Sequence, residues 1–262
     1  MDHINPVADT VVGGEFDSIV HIIDGSFESL LTSVFDAHAD KLFPIGVYRE
    51  NEYQQSLCER PLVIITDAAK AERVRNGIVR KLGVQVLENI WMAYLSNDPD
   101  RFTKIARFIK LAFVVGRRID ERLTEPAVHD IFAICRNVGR ETNKLLGFLR
   151  FSVMENNIQF AEITPEHNQI PLLMQHFADR LREAPFIIYD TKRYIAGIYD
   201  TKEWYIVDAR ELTLPELASD EEQIRSLWKT FYETIAIEAR LNPKLQRNLM
   251  PKRYWRNMTE HQ

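Results

Sequence analysis

The spacing of apolar residues changes along this chain, and each change marks an element. "SIVHIID" is a short run rich in Ile and Val, the signature of a buried strand. "GSFESLLTSVFDAHADK" follows, with Leu30, Leu31, Val34 and Phe35 at helical spacing and Ser26 where an N-cap belongs. "PLVIITD" predicts a second strand, with Asp67 closing it and opening the next helix. From about Ala68 to Lys144 the pattern is helical: "AKAERVRNGIVRKLG" stops at Gly83, and "VQVLENIWMAYLS" and "DRFTKIARFIKLAFVVGRRI" carry apolar residues three and four apart. "PAVHDIFAICRNVGRETNKLLGFLRF" opens on Pro126, a residue tolerated in a first helical turn.

Beyond that block the period shortens to two. "GFLRFSV" and "IQFAEIT" flank "MENN" as a hairpin, with Gly147 ending the helix and Arg150 on the strand. "PLLMQHFADRLRE" predicts a helix with Leu172, Leu173, His176, Phe177 and Leu181 on one side. "FIIYDTKRYIAGIYDTKEWYIVDA" reads as three strands and two turns. Its phrase "IYDTK" occurs twice, at Ile188 to Lys192 and at Ile198 to Lys202, which predicts two similar turns. "EEQIRSLWKTFYETIAIEARL" is a last long helix, stopped by Pro243.

Helices followed by strands predict an α+β fold: a mostly antiparallel sheet of about five strands with a large helical block packed against it. We expect residues 1–18 to be disordered or loosely packed and residues 19–262 to form a single domain. Within it the helical block covers about 68–144, the sheet-rich part about 147–210, and a C-terminal helix with a basic tail 220–262.

Composition narrows the class. A chain of 262 residues with 45% hydrophobic and 27% charged residues buries a core without a metal or disulfide staple. Cys58 and Cys135 are the two cysteines, too few for a disulfide framework or a self-held iron–sulfur cluster, and they suit a reducing cytosol. "MDHINPVADT" lacks the basic start and apolar run of a signal peptide, and no apolar stretch reaches the length of a membrane span. We therefore expect a cytoplasmic protein without a membrane partner. Phosphate loops, dinucleotide fingerprints, GxSxG and HExxH are absent, and the histidines are scattered, so neither a metal nor a cofactor is expected.

Charge is uneven. The net charge is −5, yet from Arg240 onward six basic residues face Glu260 alone, giving +5 and leaving −10 on the rest. "KRYWR" places Lys252, Arg253 and Arg256 around Tyr254 and Trp255. The cations suit phosphates, and the rings either stack on unpaired bases or anchor the tail in the core. Arg136, Arg140 and Lys144, four residues apart, line one helix face, with Arg150 beyond. Like charges so placed call for an anion, either a phosphate backbone or neighbouring carboxylates such as Glu141 or one on the sheet. In "AEITPEHNQIPLLMQHFADRL", Glu162 closes a strand while Pro165 and Pro171 bracket Glu166, His167 and Asn168. Glu162, Glu166 and His167 are candidates for acid–base catalysis, or the loop is a turn with a capping asparagine. His176, on an apolar face, reads as a hydrogen-bonded core histidine.

"IIDGSFESLLTSVFDAH", "RNVGRETNKLLGFLRF", "AEITPEHNQIPLLMQHFADRL", "FIIYD" and "NPKLQRNLMPKRYWRNMTEH" together resemble one bacterial family described as probable DNA metabolism proteins, in that family's order from about Ile19 to His261. The resemblance implies a companion radical-SAM protein thought to modify or repair DNA; in some proteins the same domain is fused to a uracil-DNA-glycosylase-like domain. It implies a nucleic-acid-binding accessory protein that holds single-stranded or damaged DNA. The alternative is an acid–base catalyst, hydrolase or glycosylase-like, acting on DNA or a nucleotide.

Overall fold

Ile19–Ile23 form strand β1, and Gly25 then turns the chain into helix α1, Phe27–Ala39. Gly25 holds a φ of 90°, a left-handed conformation that favours glycine, and the side chain of Arg49 lies over it. The Ser26 hydroxyl accepts the amide of Ser29 at 3.0 Å and so caps α1 as its position predicts. Strands β2 (Gly46–Arg49) and β3 (Arg60–Val63) pair in parallel on either side of β1, in the order β2-β1-β3. Asp67 caps α2 (Ala68–Lys81), which is followed by α3 (Val84–Tyr94) and α4 (Arg101–Val115). Helix α5 then runs Pro126–Phe148.

The remaining elements are β4 (Ser152–Val153), β5 (Gln159–Ile163), α6 (Ile170–Arg180), β6 (Phe186–Asp190), β7 (Ile195–Tyr199), β8 (Trp204–Asp208), α7 (Glu221–Ile235), α8 (Pro243–Leu249) and α9 (Lys252–Trp255). The computed structural model describes residues 18–155, 157–211, 217–235 and 242–261. The looser N-terminus expected at 1–18 falls, apart from Ser18, outside the described residues, as does Arg240 of the basic tail. No helix among the described residues is long and apolar enough to cross a membrane.

Two compact units divide the chain. Unit 1 is residues 1–94 and 98–132; unit 2 is 95–97 and 133–262. In unit 1, α1 packs on α2, and the fully buried side chains include Leu30, Leu31, Ile78, Ile90, Phe102, Phe108 and Ile109. In unit 2, helix α6 lies on the five-stranded sheet β4-β5-β6-β7-β8, and Leu173, Met174, Phe177, Phe186, Ile188 and Tyr199 form the centre of its core.

The mixed α and β character and the five-stranded sheet agree with the sequence, but a mostly antiparallel sheet does not. β5 and β6 pair in parallel, because α6 carries the chain back across the sheet instead of reversing it in a hairpin. The first strands form a separate parallel sheet, with β3 exposed at its edge. Helix α5 runs through Gly147 to Phe148, and Arg150 lies in the connection before β4, not on a strand.

The repeated phrase does make two similar turns. The Asp190 carboxylate accepts the amides of Lys192 and Arg193, and the Asp200 carboxylate accepts those of Lys202 and Glu203. Helix α6 buries Ile170, Leu173, Met174 and Phe177. His176 is exposed, so the apolar face, which keeps Leu173 and Phe177, lies about a sixth of a turn from the one read off the sequence.

Candidate functional site

Two constellations in unit 2 gather most of the side chains singled out in the sequence. The first is built on Glu141. Helix α5 buries Ile134, Val138 and Leu145, and Glu141 falls on that same stripe, 4% exposed. A buried carboxylate must be hydrogen-bonded. Its two oxygens accept the backbone amides of Glu166 at 2.9 Å and His167 at 2.8 Å, the Gln169 side chain at 3.3 Å and the Tyr254 hydroxyl at 3.1 Å. Arg253 adds a guanidinium at 3.4 Å, and its other terminal nitrogen pairs with the carboxylate of Glu166.

This arrangement answers three questions raised by the sequence. Tyr254 is an anchor. It is 4% exposed, packs in the core of unit 2 with Met258, and burial pushes its hydroxyl up to about 12, helped by the Glu141 charge and opposed by Arg253. Its ring offers no open face to a base. Trp255 is half-buried and donates its indole N–H to the carbonyl of Met250 at 3.0 Å, while Lys252 stands exposed 5.9 Å from its ring centre. Glu166 and His167 are held by their backbone on Glu141, and the His167 Nδ1 accepts the amide of Asn97. Arg193 reinforces the loop, donating to the carbonyls of Pro165 and Glu166 while pairing with Asp190.

The second constellation is a cleft of about 280 Å³, lined by Arg150, Arg225 and Arg256 with Ser152, Asn257 and Glu162. Arg150 sits at the C-terminal end of α5. It donates to the carbonyls of Gly147 and Leu149 and forms an ion pair with Glu260 at 2.7 Å. Burial raises Glu260, but the bonds from Arg150 and the Trp228 indole outweigh it and hold the carboxyl below its usual range. Arg225, on α7, pairs with Glu221 at 3.1 Å and reaches the Ser152 hydroxyl at 2.6 Å. Arg256 donates to the Asn257 side chain, which in turn donates to the carbonyl of Glu162. Glu162, exposed on β5, lines the same cleft.

Arg136, Arg140 and Lys144 stand apart from both. Arg136 and Arg140 are exposed and Lys144 half-buried, and none of the three forms an ion pair among the described residues. Four-residue spacing places successive Cα atoms about 6 Å apart along α5. The sequence thus sorts into three groups: Arg253, Tyr254, Glu166 and His167 gather around Glu141; Arg150, Arg256 and Glu162 share a cleft; the α5 cations form a row without ion pairs among the described residues.

Arg193 and Arg225 are participants that the sequence does not single out, and Glu141, a candidate counter-charge for the α5 cations in the sequence, pairs with Arg253 instead. For Glu141 a signal existed, a carboxylate on the apolar stripe of α5; Arg193 and Arg225 carry none, since their partners depend on tertiary structure. Among the described residues, no cluster of three His, Cys, Asp or Glu could hold a metal ion.

Comparison with curated proteins finds no match. A family match covers residues 99–260, more than half of the chain and nearly all of unit 2, and its description is a domain of unknown function, DUF4130. The chain belongs to the DUF4130 family.

Proposed function

We propose that this protein is a nucleic-acid-binding accessory factor in DNA modification or repair, which holds single-stranded or damaged DNA beside a radical-SAM partner. The DNA context and the partner come from the family resemblance of the sequence. The row on α5 supports the binding chemistry: Arg136, Arg140 and Lys144 share one helix face and lack a counter-carboxylate among the described residues. Arg150 and Arg253 do have internal carboxylates. A protein of net charge −5 in which three aligned cations have no ion pair among the described residues presents them to an external anion, and a chain of phosphates matches a row better than a single ion does. Lys252 and Arg256, both exposed, add positive charge from the tail segment.

Fluorescence anisotropy with a labelled single-stranded oligonucleotide tests the reading. Three phosphate contacts give a slope of log affinity against log salt near about −2. Arg140→Glu flattens that slope and weakens binding for every sequence alike. Absence of binding at low salt refutes the proposal.

A second reading rests on one observation: Glu162 lines the cleft that also holds Arg225 and Arg256. A carboxylate beside guanidiniums is a workable acid–base group for a phosphate ester, and such help is worth roughly 10²–10⁴-fold. Glu162→Gln distinguishes the two. In a catalyst it abolishes turnover of bound DNA and leaves affinity in place; in a binding module there is no turnover to lose.

A further inference from the structure

Unit 1 contains a cavity of about 730 Å³ that the proposed DNA-binding role does not use. Helices α1, α2 and α4 and the segment after α1 line it, leaving one side open to solvent, and its volume lies in the range of small-molecule sites. The phenyl rings of Phe35, Phe43 and Phe113, all half-buried, line it together with Val34, Val74 and Ile109. Gly77 on α2 leaves the wall open, since a Cβ there would only just touch the Phe113 ring, 3.6 Å away.

Its rim is cationic. Arg73 lies over Phe35 at 5.1 Å, Lys110 over Phe43 at 4.0 Å and Lys81 over Phe113 at 5.8 Å, and Arg80 completes the set. All four are exposed, none forms an ion pair among the described residues, and no Asp or Glu is among the described lining residues. Acidic side chains outnumber basic ones in this chain, 38 to 33, so a pocket with four cations and no carboxylate runs against its composition. An apolar interior would accept any hydrophobe; the rim selects the charge of the head group.

We propose that this cavity binds an amphipathic anion, an aliphatic or aromatic body seated on the phenyl rings with a carboxylate or phosphate head held by Arg73, Arg80, Lys81 and Lys110. Calorimetric titration of the full chain with decanoate tests it, with octanoate, decan-1-ol and decyl phosphate as comparisons. Octanoate, two methylenes shorter, binds about 15-fold more weakly than decanoate. Decan-1-ol, without the charge, binds about tenfold more weakly or worse. Whichever of decanoate and decyl phosphate binds more tightly identifies the preferred head group.

Lys110→Glu lowers decanoate affinity by about tenfold or more. Gly77→Leu places a branched side chain against the Phe113 ring, narrows the cavity and weakens binding, and because leucine is the better helix former the variant keeps its fold. Single-stranded DNA binding is unchanged in Gly77→Leu, which separates this site from the α5 row. No heat with decanoate, equal affinity for decan-1-ol, or undiminished binding in Gly77→Leu overturns the assignment.

Discussion

The carboxylate of Glu141 meets the guanidinium of Arg253, 112 residues further along the chain, at 3.4 Å. Between them they tie helix α5, the loop before α6 and the segment α9 into one hydrogen-bonded unit. Removing the carboxylate strands a buried tyrosine hydroxyl, two backbone amides and part of an arginine at once. Glu141→Ala should destabilise unit 2 by about 3–5 kcal/mol, measured by denaturant unfolding. A loss below about 1 kcal/mol would mean that water replaces the network, and the organising role assigned to Glu141 would be wrong.

Arg140 and Arg253 belong to different physical classes. Arg253→Met should lower stability and leave the salt dependence of oligonucleotide binding nearly untouched, because its charge is already matched by Glu141 and Glu166. Arg140→Glu should do the reverse, with stability within about 0.5 kcal/mol of the parent. If both variants change the salt slope equally, the internal pairing of Arg253 does not hold in solution.

His21, 2% exposed on β1, shares a hydrogen bond with Ser33 at 2.8 Å. Burial lowers its pKa below the ordinary value; Asp36 and Asp40 oppose this in part. The folded form therefore favours the neutral ring, while the unfolded chain takes up a proton near about pH 6.5. Stability contributed by the neutral ring is fully present above that pH and falls as the pH drops toward the depressed folded value, with a slope of up to about 1.4 kcal/mol per pH unit. His21→Asn, which keeps a polar atom near the position of Nδ1, should flatten the dependence. Melting temperatures between pH 7 and pH 5 decide it, and an unchanged slope in the variant assigns the effect elsewhere.

The two thiols should differ in reactivity. Cys58 is exposed, whereas Cys135 is half-buried on α5 and burial pushes its thiol up to about 11. Under native conditions iodoacetamide should modify one site quickly, at Cys58 by peptide mapping. Equal rates at both would show that α5 opens readily around Cys135.

Legibility followed the range of the interaction. Ser26 and Asp67 as caps, the three strands of the meander and the paired "IYDTK" turns are local, and local chemistry predicted them. The parallel β5–β6 pair is not local, since it depends on where α6 delivers the chain. The phase of α6 is not legible, because His176 and Leu172 satisfy helical spacing as well as Ile170 and Met174 do, and only the sheet beneath chooses between the faces. The candidate site divides in the same way. The α5 row follows from four-residue spacing alone. That Arg253 is neutralised internally follows from Glu141, a charged residue on a buried stripe, whose position signals a pairing partner but not which one.

Tyr254 and Met258 have a further consequence for biosynthesis. Strands β5 to β8 are synthesised before these two side chains, yet the core on which those strands rest includes both. Nascent unit 2 must therefore wait with apolar surface uncovered until residue 258 has emerged, an interval in which chaperones have something to hold.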